Sequence, residues 1–384
     1  MKKKPFGISL RFRPDRWPIF SAAILLSAAF TFTGRAQNNY VQQNLVSDIP
    51  GMASHFDPHL VNPWGITSSS TSPFWVADNG TNQSTLYNSS GTPQGLVVSL
   101  PSQSPTGVVF NSTTAFNGDL FIFATETGAI DGWRGALGTT AEVLVNNGGA
   151  GSVYKGLAIA TQMTGTYLYA ADFHNATITV VPSTGAPALP GAFFDPALPT
   201  GYAPFNIQNV NGSLLVTYAL QDATGHDEIS GAGFGFVDRY DLNGNFLQRL
   251  ISNGPLNSPW GLAIAPANFG LFSNDLLVGN FGDGRINAFN PLTGVLAGTL
   301  DDISGNPIEI PGLWGLRVGN GGSGGDPNSV YFAAGIAGPD QIEDHGLFGS
   351  LSVVPDSGTT LILLVVALGA MTCCSVRCQS RDAS

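Results

Sequence analysis

The sequence predicts an all-β chain closed into a six-bladed β-propeller, and three observations carry that expectation. First, a short unit of one bulky or polar residue, glycine and an aliphatic residue recurs. The copies are Trp64-Gly65-Ile66, Thr106-Gly107-Val108, Lys155-Gly156-Leu157, Trp260-Gly261-Leu262 and Trp314-Gly315-Leu316, with Phe205-Asn206-Ile207 as a glycine-less sixth. The steps between them are 42, 49, 50, 55 and 54 residues, the spacing of four-stranded propeller units. Second, an apolar strand ending in a polar turn follows each copy: "FWVADNG", "LFIFATETG", "YLYAADFHN", "LLVTYALQD", "LLVGNFGDG" and "VYFAAGIAG". Third, 49 Gly and 25 Pro punctuate a chain that is 43% apolar and only 11% charged. That composition suits many short strands and turns and opposes long helices or disorder.

Taken in chain order, the elements begin with a segment that is an address rather than part of the fold. Lys2, Lys3, Lys4, Arg11, Arg13 and Arg16 precede the apolar run "WPIFSAAILLSAAFTFT" and the small-residue site "GRA" at 34–36. Basic region, apolar helix and cleavage site in that order predict a signal peptide over 1–36, cut after Ala36. A retained anchor is the alternative. The propeller is expected over 40–354. Its fifth unit is complete, with "WGLAIAP", "DLLVGNF", "RINAFNP" and "LAGTLDD" as four strands. The sixth supplies only three: "WGLRVGN", "VYFAAGI" and "GLFGSLSVV". The missing strand is expected from "YVQQNLVSD" at 40–48, which would close the ring and remove the open edge. The fourth unit carries an insertion, "QDATGHDEISGAGFG" at 221–235, between its second and third strands.

The three cysteines, Cys373, Cys374 and Cys378, all lie in the tail. The propeller therefore has no disulfide to rely on and must be held by its own core. Without a histidine beside them, these cysteines do not make a zinc site. Between 37 and 358 there are 6 basic and 24 acidic residues, a balance that repels phosphate backbones and excludes nucleic acid as a partner.

Candidate site residues fall into four groups. The residues before the repeat glycines, Trp64, Thr106, Lys155, Phe205, Trp260 and Trp314, are expected to ring one mouth of the central channel. There they either plug the blades together or form an aromatic rim that stacks on a flat ligand such as a sugar. Carboxylates and an amide at the ends of the second strands, Asp78, Glu126, Asp172 and Asn280, resemble the sets with which six-bladed lactonases hold a water-activating divalent cation. The plainer expectation is that they bond turn backbone, blade after blade. His226, Asp227 and Glu228 sit together on the inserted loop, where calcium or ligand capture competes with a solvated acidic loop. His55, Asp57 and His59 in "HFDPH" carry donors for a metal, but Pro58 favours a loop. "GGSGG" at 321–325 has nucleophile-elbow spacing without a strand-to-helix turn. "GNFGDG" at 279–284 runs into a strand and so lacks the helix N-terminus of a phosphate loop.

Two resemblances add to this reading. The tail motif Val354-Pro355-Asp356-Ser357-Gly358, an apolar helix from Leu361 to Met371 and the basic residues Arg377 and Arg381 resemble a bacterial PEP-CTERM-type sorting signal in its VPDSG variant. That likeness implies a membrane-sorting helix over 354–384 that an exosortase recognises and removes in the inner membrane. A plain tail anchor is the alternative. The blocks "NPWGI", "FIFATETGAIDGW", "VYKGLAIA", "GYAPFNIQ", "SPWGLAIAPANFG", "LLVGNFGDGRINAFNP" and "LWGLRVGNGG" together resemble NHL-like propellers, and in particular a family of exported bacterial propeller proteins that often carry such tails. The resemblance implies fold and export and carries no activity.

The expectation is an exported, envelope-associated binding or scaffold propeller, released to the periplasm, cell surface or exterior, with extracellular polysaccharide or an envelope protein as partner. It requires no cofactor, though the acidic residues leave room for calcium. A metal-assisted hydrolase or lactonase at the channel mouth and a protein–protein platform are the competing readings.

Overall fold

The structure is a computed structural model that describes residues 38–340 and 342–354. The predicted signal segment 1–36 and Pro355, Asp356, Ser357 and Gly358 of the tail motif lie outside the described residues. Among the described residues no helix is long and apolar enough to cross a membrane.

Six antiparallel sheets succeed one another along the chain, as expected for six blades. Their innermost strands are Pro63–Thr67, Pro105–Phe110, Tyr154–Gln162, Tyr202–Val210, Pro259–Ile264 and Leu313–Val318. Each packs against the innermost strand of the next blade, and the sixth against the first. The ring is sealed as the strand count predicted. Tyr40–Ser47 pairs antiparallel with His345–Val353, running from Tyr40↔Val353 to Ser47↔Leu347. Asp48 fastens this seam: its carboxylate meets His345 Nδ1 at 2.8 Å and accepts the Gly346 N–H at 2.8 Å.

Blade three departs from the four-stranded plan and has three strands, Tyr154–Gln162, Gly165–Asp172 and Thr177–Pro182. Pro187, Pro190, Pro196 and Pro199 crowd the stretch where a fourth would lie, and proline cannot donate to a ladder. That stretch instead packs as a loop, with Phe193 buried against Tyr169 and Tyr240.

The innermost strands show why the repeat favours glycine. All six have a register irregularity at the repeat position, for example between Pro63 and Ile66 and between Pro259 and Gly261, so a bulge turns the backbone there. A Cβ on Gly65 would fall 2.6 Å from the Thr106 carbonyl, and one on Gly261 2.6 Å from that of Trp314. Glycine is what lets neighbouring strands approach this closely around a tight ring. The one exception turns its side chain to use. Asn206 Nδ2 donates to the Trp260 carbonyl at 2.8 Å, bridging to the next blade.

Six apolar clusters among the described residues each fill one gap between neighbouring blades. Between blades one and two, Trp75 stacks on Phe121 with centroids 4.0 Å apart. Burying a large apolar side chain stabilises by roughly 1.5–3 kcal/mol, so these gaps supply the cohesion that disulfides would otherwise give. A seventh cluster lies on the axis.

Candidate functional site

The axial cluster decides between the two expectations for these residues in favour of a plug and against an exposed aromatic rim. Trp64, Phe205, Trp260 and Trp314 converge with Phe173 and, partly buried, Phe281, and the three tryptophans are no more than 5% exposed. Trp64 and Trp314 stack at 3.5 Å, and Trp260 meets both edge-on at 6.2 and 5.9 Å. Each indole N–H is satisfied inside the protein: Trp64 on Asn62 Oδ1, Trp260 on the Lys155 carbonyl and Trp314 on Glu343. With faces covered and N–H groups used, these rings form a plug and offer no platform to a sugar. Thr106, in the same ring of positions, is buried and donates to the Tyr154 carbonyl. The repeat places its bulkiest residues where six strands leave an axial hole, and aromatic area fills it.

The second-strand ends resolve differently from a metal set. Asp78 is fully buried and accepts the Thr85 N–H, and burial holds its carboxyl well above the usual range. Asp172 accepts the Val153 and Asn175 N–H groups and the Asn175 amide. Asn280 donates to the Pro255 carbonyl and to Asp283. These three serve the turns of their own blades, as Asx chemistry favours, and are not brought together with Glu126. "HFDPH" is structural as well: Asp57 accepts from Tyr87 and from the His59 N–H, and His59 meets Gln83.

Glu126 belongs to another constellation, and Lys155 is its centre. The Lys155 side chain is 1% exposed, yet its Nζ lies 2.6 Å from Glu126 Oε1 and 3.3 Å from Asp227 Oδ1. It also sits 5.1 Å from the centroid of Trp64, so the cation rests on the plug. Asn79 donates to the other Glu126 oxygen, and His226 Nδ1 lies 2.8 Å from Asp227. The inserted loop delivers Asp227 here through a two-residue strand, Glu228–Ile229, that pairs with Leu220 and Gln221. Four blades thus contribute: the second gives Glu126, the third Lys155, the fourth the loop, and the sixth Glu343.

The electrostatics follow from crowding four carboxyls around one ammonium. Burial, with the charges of Asp227 and Glu126, pushes Glu228 up to about 7 although Lys155 opposes it. Burial and the neighbouring Glu228 push Glu343 up to about 8. Burial acts to lower the Lys155 ammonium, but Glu126, Glu228 and Asp227 together outweigh it and leave it above its ordinary value. For Asp227 the burial cost is outweighed by Lys155 and His226, and its carboxyl is lowered. The cup therefore holds exchangeable protons near neutrality, next to ionised acceptors. Glu126, His226 and Asp227 also place one donor atom each within 4.8 Å of one another, a spacing that suits a metal ion.

Glu343 escaped the sequence reading. It lies in the loop before the last strand, outside the periodic markers, and no short motif flags it. Its partner Trp314 was visible, but a contact across 29 residues was not.

No family model matches the chain. Uncharacterized protein R648 of Acanthamoeba polyphaga mimivirus is 35% identical over 339 residues, covering 83% of this chain and 81% of that protein. Uncharacterized protein L690 of the same virus is 32% identical over 339 residues, covering 83% and 87%. Among solved structures, a glucose dehydrogenase superposes with a TM-score of 0.50 at 13% identity, over 82% of this chain and 100% of that one. Virginiamycin B lyase from Staphylococcus aureus gives 0.47 at 16% identity, over 82% and 99%. At 13% identity the likeness to the glucose dehydrogenase is one of fold alone. The identity and coverage shared with the viral proteins go further: the chain belongs to the family of the mimivirus proteins R648 and L690.

Proposed function

We propose that this is an exported binding propeller whose ligand engages the acidic cup over the plug, not an aromatic rim. One observation carries the reading: Glu126, Lys155, Asp227, Glu228 and Glu343 come from four blades, and the only one at a repeat position, Lys155, is the one charged residue among the six that precede the repeat glycines. A repeated feature serves the architecture; one that breaks the repeat at a channel mouth, with carboxyls held near neutral, is what a site requires. Oxygens of Glu126 and Asp227 accept hydrogen bonds from hydroxyls, while protonated Glu343 and Lys155 donate. That mixture suits a polyhydroxylated ligand, with extracellular polysaccharide as the expected class. The basic-apolar N-terminus and the VPDSG tail support export and membrane sorting by an exosortase, and an envelope location follows from them.

A glycan-array screen of the full chain tests this, with Asp227→Asn and Glu228→Gln beside the wild type. A hit weakened in both variants supports the cup. Hits indifferent to both variants, or no hit on any glycan, would sink the reading.

A second reading rests on the Glu126, His226 and Asp227 donors. One nitrogen and two carboxylates suit zinc or manganese better than calcium, which prefers oxygen alone. A metal there would have Glu228 or Glu343 beside it as a base for hydrolysis. Lys155 Nζ already occupies the space between Glu126 and Asp227, so an ion must displace it. Calorimetric titration with zinc, manganese and calcium decides, and heat lost in His226→Ala would favour the metal.

A further inference from the structure

The opposite end of the axis carries a second, different site. Behind the plug the innermost strands enclose a cavity of about 380 Å³, lined among others by Trp260, Asn206, Thr67, Ser68, Gln208 and Arg317. The positions two after each repeat glycine, or after Asn206 in the fourth copy, are Thr67, Val109, Ala158, Gln208, Ala263 and Arg317. Five are uncharged, and Arg317 is the one charged residue lining the cavity.

Its isolation is unusual in this chain. Of the six basic residues among those described, Arg134, Lys155, Arg249 and Arg285 are ion-paired, and Arg239 donates to the Pro291 carbonyl. Among the described residues Arg317 makes one hydrogen bond, a long one of 3.3 Å from Nη2 to the Ser68 carbonyl, and no carboxylate meets it. Burial alone acts on the guanidinium and lowers its affinity for its proton. Beside it, Ser68 Oγ is buried without a hydrogen-bond partner. A half-buried charge without a counter-ion and a buried hydroxyl left unsatisfied both cost free energy. In a chain of net charge −11, acidic residues to pair with Arg317 are plentiful, yet none does.

We propose that the axial cavity binds a small carboxylate-bearing molecule, with the Arg317 guanidinium gripping the carboxylate and Ser68 Oγ donating to it. A planar guanidinium matches a carboxylate with two parallel N–H bonds, and most of its five donors are free here. The volume fits a compact metabolite, and the strands Pro63–Thr67 and Leu313–Val318 hold the two groups side by side across the ring seam. This site is independent of the acidic cup, which lies beyond the plug.

Tryptophan fluorescence of the full chain, titrated with acetate, succinate and benzoate at constant ionic strength, tests it, because Trp260 lines the cavity. At least one of these is expected to bind saturably. Arg317→Gln should weaken that binding at least about tenfold, the worth of one charge-assisted hydrogen bond. Arg317→Lys should keep part of it as a point charge. Circular dichroism establishes whether Arg317→Gln folds; if it does not, Ser68→Ala is the decisive variant and should weaken binding several-fold. No saturable response to any of the three, or affinity unchanged in the folded variant, overturns the proposal. So does binding that is lost in Asp227→Asn and kept in Arg317→Gln, which would place the carboxylate at the cup.

Discussion

Trp64 and Trp314 stack face to face at 3.5 Å, with 15° between their planes, across the seam where the sixth blade meets the first. The contact joins residues 250 positions apart in sequence and lies on the propeller axis, where it ties the two ends of the ring together. Removing a fully buried tryptophan leaves a cavity that six rigid strands cannot collapse. Trp314→Ala should cost about 3–5 kcal/mol in urea unfolding, and Trp314→Phe less. A destabilisation under about 1 kcal/mol for Trp314→Ala would mean that the plug is loosely packed.

The strand seam makes a separate prediction. Tyr40 is 1% exposed and its hydroxyl donates to the Phe269 carbonyl at 3.0 Å, so the first strand is anchored in two blades. Asp48 caps its end on His345 and Gly346. Asp48→Ala frees a backbone N–H and an imidazole, with an expected loss of about 1–3 kcal/mol. The hydrogen bond to Asp48 raises His345 above its ordinary 6.5. Its contribution is therefore full below that value and fades as pH rises through the elevated one. The gap between wild type and Asp48→Ala should narrow at alkaline pH; a gap that widens there would refute the pairing.

How much was legible beforehand divides along the same lines. Blade number, the 40–48 closing strand and the insertion in blade four could be read, because each rests on local pattern: a glycine at a bulge, an apolar strand before a polar turn, a missing strand to supply. The fate of the tryptophans could not. "PWG" reads the same whether the ring lies on a rim or turns into the axis, and only the ring diameter decides. The cup was half visible. Lys155, Glu126 and the His226-Asp227-Glu228 loop were each named, but in three separate roles. Their meeting depends on where blades two, three and four sit around the ring, which sequence spacing does not encode. Blade three's missing fourth strand is not encoded in the repeat unit; the prolines from Pro187 to Pro199 are its only sequence trace.

The bulge glycines can be tested against a glycine outside the repeat. A Cβ on Gly315 would lie 2.5 Å from the Trp64 carbonyl, backbone that cannot move without opening the ring. On Gly135 it would meet nothing within 4 Å. Gly315→Ala should therefore destabilise by about 1–3 kcal/mol, and Gly135→Ala by about 0.5 kcal/mol or less. Asn206→Ala loses the bond to the Trp260 carbonyl and should cost about 1–2 kcal/mol. Equal effects at Gly315 and Gly135 would remove close strand approach as the reason for the repeat.

The cup makes the pH dependence unusual for an acidic chain. Glu228 and Glu343 have folded values of about 7 and about 8, against an ordinary 4.5. The folded state thus binds these protons more tightly than the unfolded chain does. The stability they confer is complete below the ordinary value and is lost as pH rises through the two elevated ones. Asp238, pushed up to about 7 by burial, acts in the same direction. Asp227 is lowered instead, so its contribution falls away only in acid, below the window in question. Urea unfolding should show the protein more stable near about pH 5 than near about pH 8. The double variant Glu228→Gln with Glu343→Gln mimics the protonated cup at every pH. It should flatten that difference by about 1–3 kcal/mol, and its advantage over wild type should appear only on the alkaline side. Asp238 and the buried Asp78, also raised, leave a residual slope in the double variant; if the slope is undiminished there, the protons are held at those groups and not in the cup. If wild type gains stability as pH rises, the carboxyls are already ionised at neutrality, and the protonated donor that the polyhydroxylated-ligand reading requires is absent.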